Sequence, residues 1–314
     1  MGLEASIVVP VHNEAALLER NTRVLVEYLS GALQAYEIIL VENGSLDQTP
    51  SVARSLAETL DHVRVLEIPE PSLGEALKLG VAEARYNKVI YFPIDLSTDL
   101  GFIPLSVERL DEFDVVVGSK RMEPGLDRRP FHRRLLSRGF HGLVRGLFRT
   151  GFTDTTCVKA FRRSRVLPVF GEVPSSSHVF ETEMLLAAQQ MGLSIKELPV
   201  EVKGGRPSRQ PLGVKVRSKL RDLVSLRVDV LAFWFGGLTA VSGLALLGYL
   251  SLEKVRSGQP GFMNPYSFLL AMLLVVSGFQ IIVLGLQASL LLQVRRTVEA
   301  SLSPHRGAER PEEE

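Results

Sequence analysis

Acidic and hydroxyl side chains gather directly after an apolar run in residues 91–99, which read YFPIDLSTD. The run Val89, Ile90, Tyr91, Phe92 has the β-branched and aromatic make-up of a buried central strand. Open α/β sheets bind ligands beyond the carboxyl ends of their strands, which would put Asp95 at such a site. Ser97 and Asp99 follow at alternate positions, so one wall of a pocket can carry Asp95, Ser97 and Asp99. A plain strand-to-helix turn accounts for the same residues, with Ser97 or Asp99 capping a helix near residues 103–110.

The elements that must position these residues recur along the chain. Residues 6–11 read as a short buried strand, broken by His12-Asn13-Glu14 before a helix carrying Leu17, Leu18, Val24, Leu25 and Leu29. A second strand over residues 37–41 ends in the polar loop Glu42-Asn43-Gly44-Ser45, with Asp47 and Thr49 as N-cap candidates for the next helix. A third strand over 63–68 leads to a helix through Ala76, Leu77 and Val81, and the Tyr91 strand follows. This alternation predicts βαβ units and a mostly parallel, doubly wound sheet whose strand ends meet at one crevice. Further strands are expected at 115–118 and, as an edge strand interrupted by Pro199, at 195–202. A helix opens at Phe180-Glu181-Thr182-Glu183.

Bulk composition excludes several functions. A chain of 314 residues with a formal charge of +1 has no general affinity for nucleic acid. Its single cysteine, Cys157, forbids an intrachain disulfide and a cysteine-rich zinc site, and the 6 histidines form no pair at metal-ligand spacing. No secretory signal is expected, because an acid, Glu4, immediately precedes the first apolar strand.

After residue 204 the character changes. Val216, Leu220, Leu223 and Val224 share one helical face while Lys215, Lys219, Arg221 and Asp222 lie away from it, the pattern of a helix over 213–228 lying in a membrane interface. Residues 230–252 and 266–292 carry no charge, and each is long enough for a bilayer core that needs about 20 residues. The resulting boundaries are a catalytic-type domain at 1–212, spans at 229–252 and 266–293, an extracytoplasmic loop at 253–265 and a tail at 294–314. Basic residues crowd the flank before the first span, and Arg295-Arg296 follow the second, so the positive-inside rule places the large domain and the C-terminus in the cytoplasm. Gly236, Gly237, Gly243 and Gly248 on the first span allow close helix contact or packing of subunits into a homo-oligomer.

Seven stretches in order, VPVHNE, VENGSLDQT, IDLSTD, GSKR, RRLLSRG, DTTCVKAFRR and FETE, give the chain a resemblance to family-two glycosyltransferases. With the C-terminal hairpin it is similar to the dolichyl- or polyprenyl-phosphate sugar transferases. That resemblance implies a GT-A fold, Rossmann-like with a mostly parallel sheet. It implies a GDP- or UDP-hexose donor held by Pro10, His12, Glu14, Glu42, Asn43 and Ser45, and a polyprenyl phosphate acceptor held by Lys120, Arg133 and Ser137. The implied reaction is inverting displacement at the membrane face, assisted by Mg²⁺ or Mn²⁺ on Asp95 and Ser97, with Asp95 and Glu183 as catalytic candidates. Glu181 and Glu183 at the helix start can contact the donor sugar or assist the acceptor, and acids are favoured there by the helix dipole as well. One departure is plain: the family's metal motif is Asp-x-Asp, and here Pro93 stands in the first place, removing one oxygen ligand and one negative charge. Pro93 thereby motivates a second reading, a non-catalytic homologue that binds nucleotide sugar or lipid phosphate.

Overall fold

The computed structural model describes residues 3–123, 125, 139, 142, 151–174, 180–203, 228–258 and 265–302. They fall into two compact units, Met1–Val216 and Arg217–Glu314.

The first unit is built on a 7-stranded sheet in the order β3-β2-β1-β4-β6-β5-β7. Its strands are β1 Glu4–Val11, β2 Ala35–Asn43, β3 Val63–Ile68, β4 Lys88–Tyr91, β5 Val115–Ser119, β6 Lys159–Arg162 and β7 Ile195–Pro199. The helices are α1 Ala15–Ala32, α2 Thr49–Thr59, α3 Leu73–Ala82, α4 Phe102–Arg109, α5 Arg163–Glu172 and α6 Phe180–Gln190. β1 runs parallel to β2 and β4, β2 to β3, and β5 to β7; β6 alone is antiparallel to both its neighbours.

Strict alternation along the strands separates two cores. Ile7, Val9, Ile38, Leu40, Ile90 and Val116 pack under α1, α2 and α4, while Val8, Ile39, Val41, Val89, Val115 and Val117 pack under α3, α5 and α6. α1 supplies Leu18, Leu25 and Leu29, one buried residue per turn or two. α3 is capped by Ser72, whose hydroxyl accepts from the N–H of Glu75, and Glu75 lies in the positive first turn.

The caps expected elsewhere are made differently. α2 has Gln48 at its cap position, and Asp47 instead accepts from the N–H of Thr49 at 2.9 Å in a turn one residue earlier. α4 has no side-chain cap; Asp99 offers its backbone carbonyl to Phe102 N–H at 3.3 Å. β7 ends at Pro199, as a proline at a strand edge requires, and resumes only as a bridge between Thr98 and Val202.

The second unit is a pair of helices, α7 Val228–Ser257 and α8 Pro265–Leu302. Both contain windows apolar and long enough to cross a membrane, Val228–Ser257 with mean hydropathy 1.9 and Tyr266–Leu292 with 2.5. Each helix outruns the span expected from the apolar pattern, because Glu253, Lys254 and Arg256 are good helix formers and helical hydrogen bonding continues where apolarity stops. The two pack backbone to backbone: a Cβ at Gly236 would meet the Gly278 carbonyl at 2.5 Å, and one at Gly243 would meet that of Ala271 at 2.8 Å. Gly237 and Gly248, also expected at contacts, have open space around them among the described residues. The interfacial helix expected at 213–228 lies, but for its last residue, outside the described residues.

Candidate active site

The chain proceeds outward from β1 to β2 and β3 in one direction and to β4 in the other, so the sheet's switch point lies between β1 and β4. Register places Val11 beside Glu42, and Val8 beside Tyr91, at the same carboxyl edge. Pro10 accentuates the crevice. Residues 8 and 10 of β1 direct their backbone groups toward β4, whose last bond is Phe92 N–H to the Val8 carbonyl at 3.0 Å. Beyond it Pro10 has no N–H to offer, and it sits where none is needed.

Two loops are welded at this edge. His12 Nδ1 lies 2.7 Å from the Asn43 carbonyl, so it donates; Nε2 is then the lone-pair nitrogen and accepts from Asn13 Nδ2 at 2.9 Å. Asn13 N–H donates to Ser45 Oγ at 2.9 Å, and Asn13 Oδ1 accepts from Leu46 N–H at 2.8 Å. Asn13 reaches both partners because its φ is +54°, a conformation asparagine tolerates better than most residues. Glu14 N–H donates to Thr49 Oγ1 at 2.8 Å. Within the second loop, Glu42 Oε1 accepts from Ser45 N–H at 2.7 Å and Asn43 Oδ1 from Ser72 N–H at 2.6 Å. Gly44 takes a φ of +59° with the backbone of Pro69 and Glu70 3.0 Å from where its Cβ would be. Pro10, His12, Glu14, Glu42, Asn43 and Ser45 thus line one edge, the first three on the β1 side and the rest on the β2 side.

The segment after β4 is fastened from two sides. Asn21 Nδ2 of α1 donates to the Ile94 carbonyl at 2.8 Å, while Asp99 N–H and the Ser97 carbonyl bond to Glu201 and Lys203 at 3.1 and 2.9 Å. Asp95 is exposed, and its Oδ1 accepts from Ser97 N–H at 3.0 Å across Leu96, whose φ is +48°. A leucine in the left-handed region is strained by roughly 1–2 kcal/mol, and the strain sits in the one loop that carries the acid. Asp99, the other acid of this segment, is exposed. Its carboxylate covers Gly101 and acts on the Tyr28 phenol of α1, which burial first and Asp99 second hold above its ordinary value.

Among the described residues no three acids, histidines or cysteines cluster as a metal site. Mg²⁺ needs only one or two carboxylates when a substrate phosphate completes its shell. Asp95, with the Ser97 hydroxyl beside it, fits an ion shared with a diphosphate.

Across the β4–β6 boundary lies a cluster of a different kind. Lys159, fully buried, stands opposite Tyr91 in the antiparallel register; its Nζ donates to Glu181 Oε1 at 2.6 Å and to the Cys157 carbonyl at 2.7 Å, and lies 5.8 Å from the Tyr91 ring centroid. Burial, and then the charges of Glu181, Cys157 and Asp95, hold the Tyr91 phenol well above its ordinary value. Glu181 is the residue of α6 that faces the strand ends, in line with buried Met184, Leu185 and Ala188. Glu183 is half-buried and sits about 200° around the helix from Glu181.

Lys120, expected on an acceptor phosphate, is buried and its Nζ is bonded to Asp154. Burial alone would raise the Asp154 carboxyl; Lys120, the Thr156 N–H and Arg121 more than reverse this and hold it below the usual carboxylate range. Arg133 and Ser137 lie outside the described residues. Sequence reasoning gave no role to Asn13, Asp154 or Lys159. The signal for the last was present, since a lysine between Val158 and Ala160-Phe161 in a buried strand must find a partner.

Comparison with known proteins identifies the family and the fold. The family model described as glycosyl transferase family 2 matches residues 6–168. Glycosyltransferase AglD of Haloferax volcanii is 33% identical over 240 residues, covering 74% of this chain and 37% of the relative's length. The dolichyl-phosphate beta-glucosyltransferase of Homo sapiens is 28% identical over 224 residues, 65% of this chain and 69% of the relative. A crystal structure of glucosyl-3-phosphoglycerate synthase from Mycobacterium tuberculosis, in complex with Mn²⁺ and UDP-glucose, shares the fold with a TM-score of 0.52 at 20% identity, over 71% of this chain and 79% of that one.

Proposed function

Since the chain belongs to glycosyl transferase family 2, we propose that it transfers a sugar from a nucleotide-sugar donor to a polyprenyl phosphate at the cytoplasmic face of a membrane. The observation that carries this reading is the convergence of the β1, β2 and β4 loops on one crevice, with the exposed acid Asp95 in the loop after β4. The relatives that act on dolichyl phosphate and the two apolar helices support the lipid acceptor and the membrane location.

In this reading the β1 and β2 loops hold the nucleoside. Ser45 and the Glu42 carboxylate are fixed by backbone bonds before ligand arrives, so little ordering entropy is lost on binding. Asp95 and Ser97 would hold the divalent ion, whose chemistry is to neutralise charge on the leaving diphosphate. An oxygen of the polyprenyl phosphate forms a bond to the anomeric carbon as the bond from that carbon to the diphosphate breaks, inverting its configuration. The attacking phosphate is already ionised, so positioning matters more than proton abstraction. Arg133 and Ser137 supply the acceptor phosphate contacts, and the buried Lys120–Asp154 pair fixes the end of β5.

Pro93 favours the second reading, a binding protein without transfer activity. Full-length protein incubated with radiolabelled UDP-glucose or GDP-mannose, polyprenyl phosphate and Mn²⁺ decides between them. Labelled lipid is the expected result. Donor binding with no lipid-linked product overturns transfer and leaves the binding reading.

A further inference from the structure

Lys159 spends every donor it has. An ammonium carries three N–H bonds; two go to Glu181 Oε1 and the Cys157 carbonyl, and the third side of the group lies over the Tyr91 ring. The lysine is 0% exposed, whereas the Glu181 side chain retains 16% exposure. Glu181 uses one oxygen on the lysine, and Oε2 has no hydrogen-bond partner among the described residues. The lysine cannot reach a substrate, and the carboxylate can.

We propose that Glu181, held in place by Lys159, accepts a hydrogen bond through Oε2 from a hydroxyl of the donor's hexose, and that Lys159 is a positioning residue for that contact. This rests on the reading of the chain as a nucleotide-sugar transferase. Glu181 is tied through Lys159 to Tyr91 at the end of β4, and Asp95 lies in the segment that leaves that same strand end, so a donor whose diphosphate is held at Asp95 would have its hexose on the side of Glu181. A fixed carboxylate oxygen suits a sugar hydroxyl, which is a donor in want of an acceptor. The lysine holds the carboxylate in one orientation before the sugar arrives, so the contact is made without a further ordering cost.

The test uses the full chain in detergent with Mn²⁺, titrated with UDP-glucose and UDP, and in parallel with GDP-mannose and GDP. Glu181→Gln keeps an oxygen for Lys159 and replaces the free acceptor with an N–H donor. It should weaken binding of the sugar nucleotide that serves as donor by about tenfold to a hundredfold, the range for hydrogen bonds to charged groups. Affinity for the corresponding nucleoside diphosphate should stay at the wild-type value. Lys159→Met should move the same readout in the same direction, and folding of each variant is checked by its thermal transition. A donor with the contacted hydroxyl replaced by hydrogen should bind wild type about as weakly as the intact donor binds Glu181→Gln. Unchanged sugar-nucleotide affinity in folded Glu181→Gln, in a wild-type protein that makes labelled lipid, overturns the inference alone. Equal weakening for sugar nucleotide and free diphosphate also overturns it, because the carboxylate would then serve the nucleotide end. Absence of labelled lipid from wild type, with the sugar-specific loss intact, overturns transfer and leaves the contact standing.

Discussion

At the residue scale, this protein concentrates its chemistry in side chains that hold other side chains. Asp95 is the exception, an exposed acid in a strained loop. Removing its charge should therefore remove ion binding: Asp95→Asn is expected to lower kcat/KM at least about a hundredfold, the effect of losing a transition-state charge contact. Its Mn²⁺ affinity in the presence of UDP, followed by electron paramagnetic resonance, should fall in step. Pro93→Asp supplies the missing oxygen and should tighten Mn²⁺ in the same assay. No change in either variant would show that the ion is held elsewhere. Lys120 makes the contrasting prediction. With its partner Asp154 almost fully buried, Lys120→Met leaves an unpaired carboxylate and should destabilise the domain by about 3–5 kcal/mol in urea unfolding. The double variant Lys120→Met/Asp154→Leu should recover most of that loss. A phosphate-binding lysine without a structural role would show loss of acceptor affinity and no such coupling.

At the scale of elements, the glycines of the hairpin separate contact from composition. Gly278 opposes the Gly236 carbonyl and the Ala240 N–H, so a side chain there must push two backbones apart. Gly237 sits on the same pair of helices with nothing near its Cβ. Gly278→Leu should lower the thermal transition of the detergent-solubilised chain, and Gly237→Leu should leave it in place or raise it slightly through helix propensity. Equal effects would mean that the hairpin does not pack through its glycines. β6 is the other instructive element. Being antiparallel, it brings its first residue, Lys159, to the edge where its neighbours β4 and β5 bring their last. That reversal is why a residue remote in sequence from Asp95 joins the same site.

At the scale of the whole molecule, several buried carboxylates link stability to pH. Burial pushes Glu37, Asp114 and Asp154 up, and hydrogen bonds with nearby cations more than reverse it: Ser6, Arg85 and Arg64 around Glu37, Ser194 and Arg165 around Asp114, Lys120 around Asp154. Each carboxyl therefore binds its proton less readily folded than unfolded. The stability it contributes is complete above the unfolded value of about 4 and is lost as pH falls through the folded value. The melting temperature should hold steady from neutral pH to about pH 5 and drop below about pH 4. Asp154→Asn should flatten part of that drop; a melting temperature flat to about pH 3 would contradict the linkage.

Much was legible from the sequence alone. Strand and helix periods declared the doubly wound sheet, charge-free stretches declared the two apolar helices, and Pro93 declared its own departure, because each of these is a property of local composition. The caps at Asp47 and Asp99 were misjudged, since either a side chain or a carbonyl can satisfy a helix start and only the chain path selects which. The site's inner organisation was likewise beyond local reading. The turn of α6 and the reversal of β6 together decide that Glu181 meets Lys159. Sequence spacing fixes which residues share a face; long-range packing alone fixes which faces meet, and the acid–lysine pair at the crevice is made by that meeting.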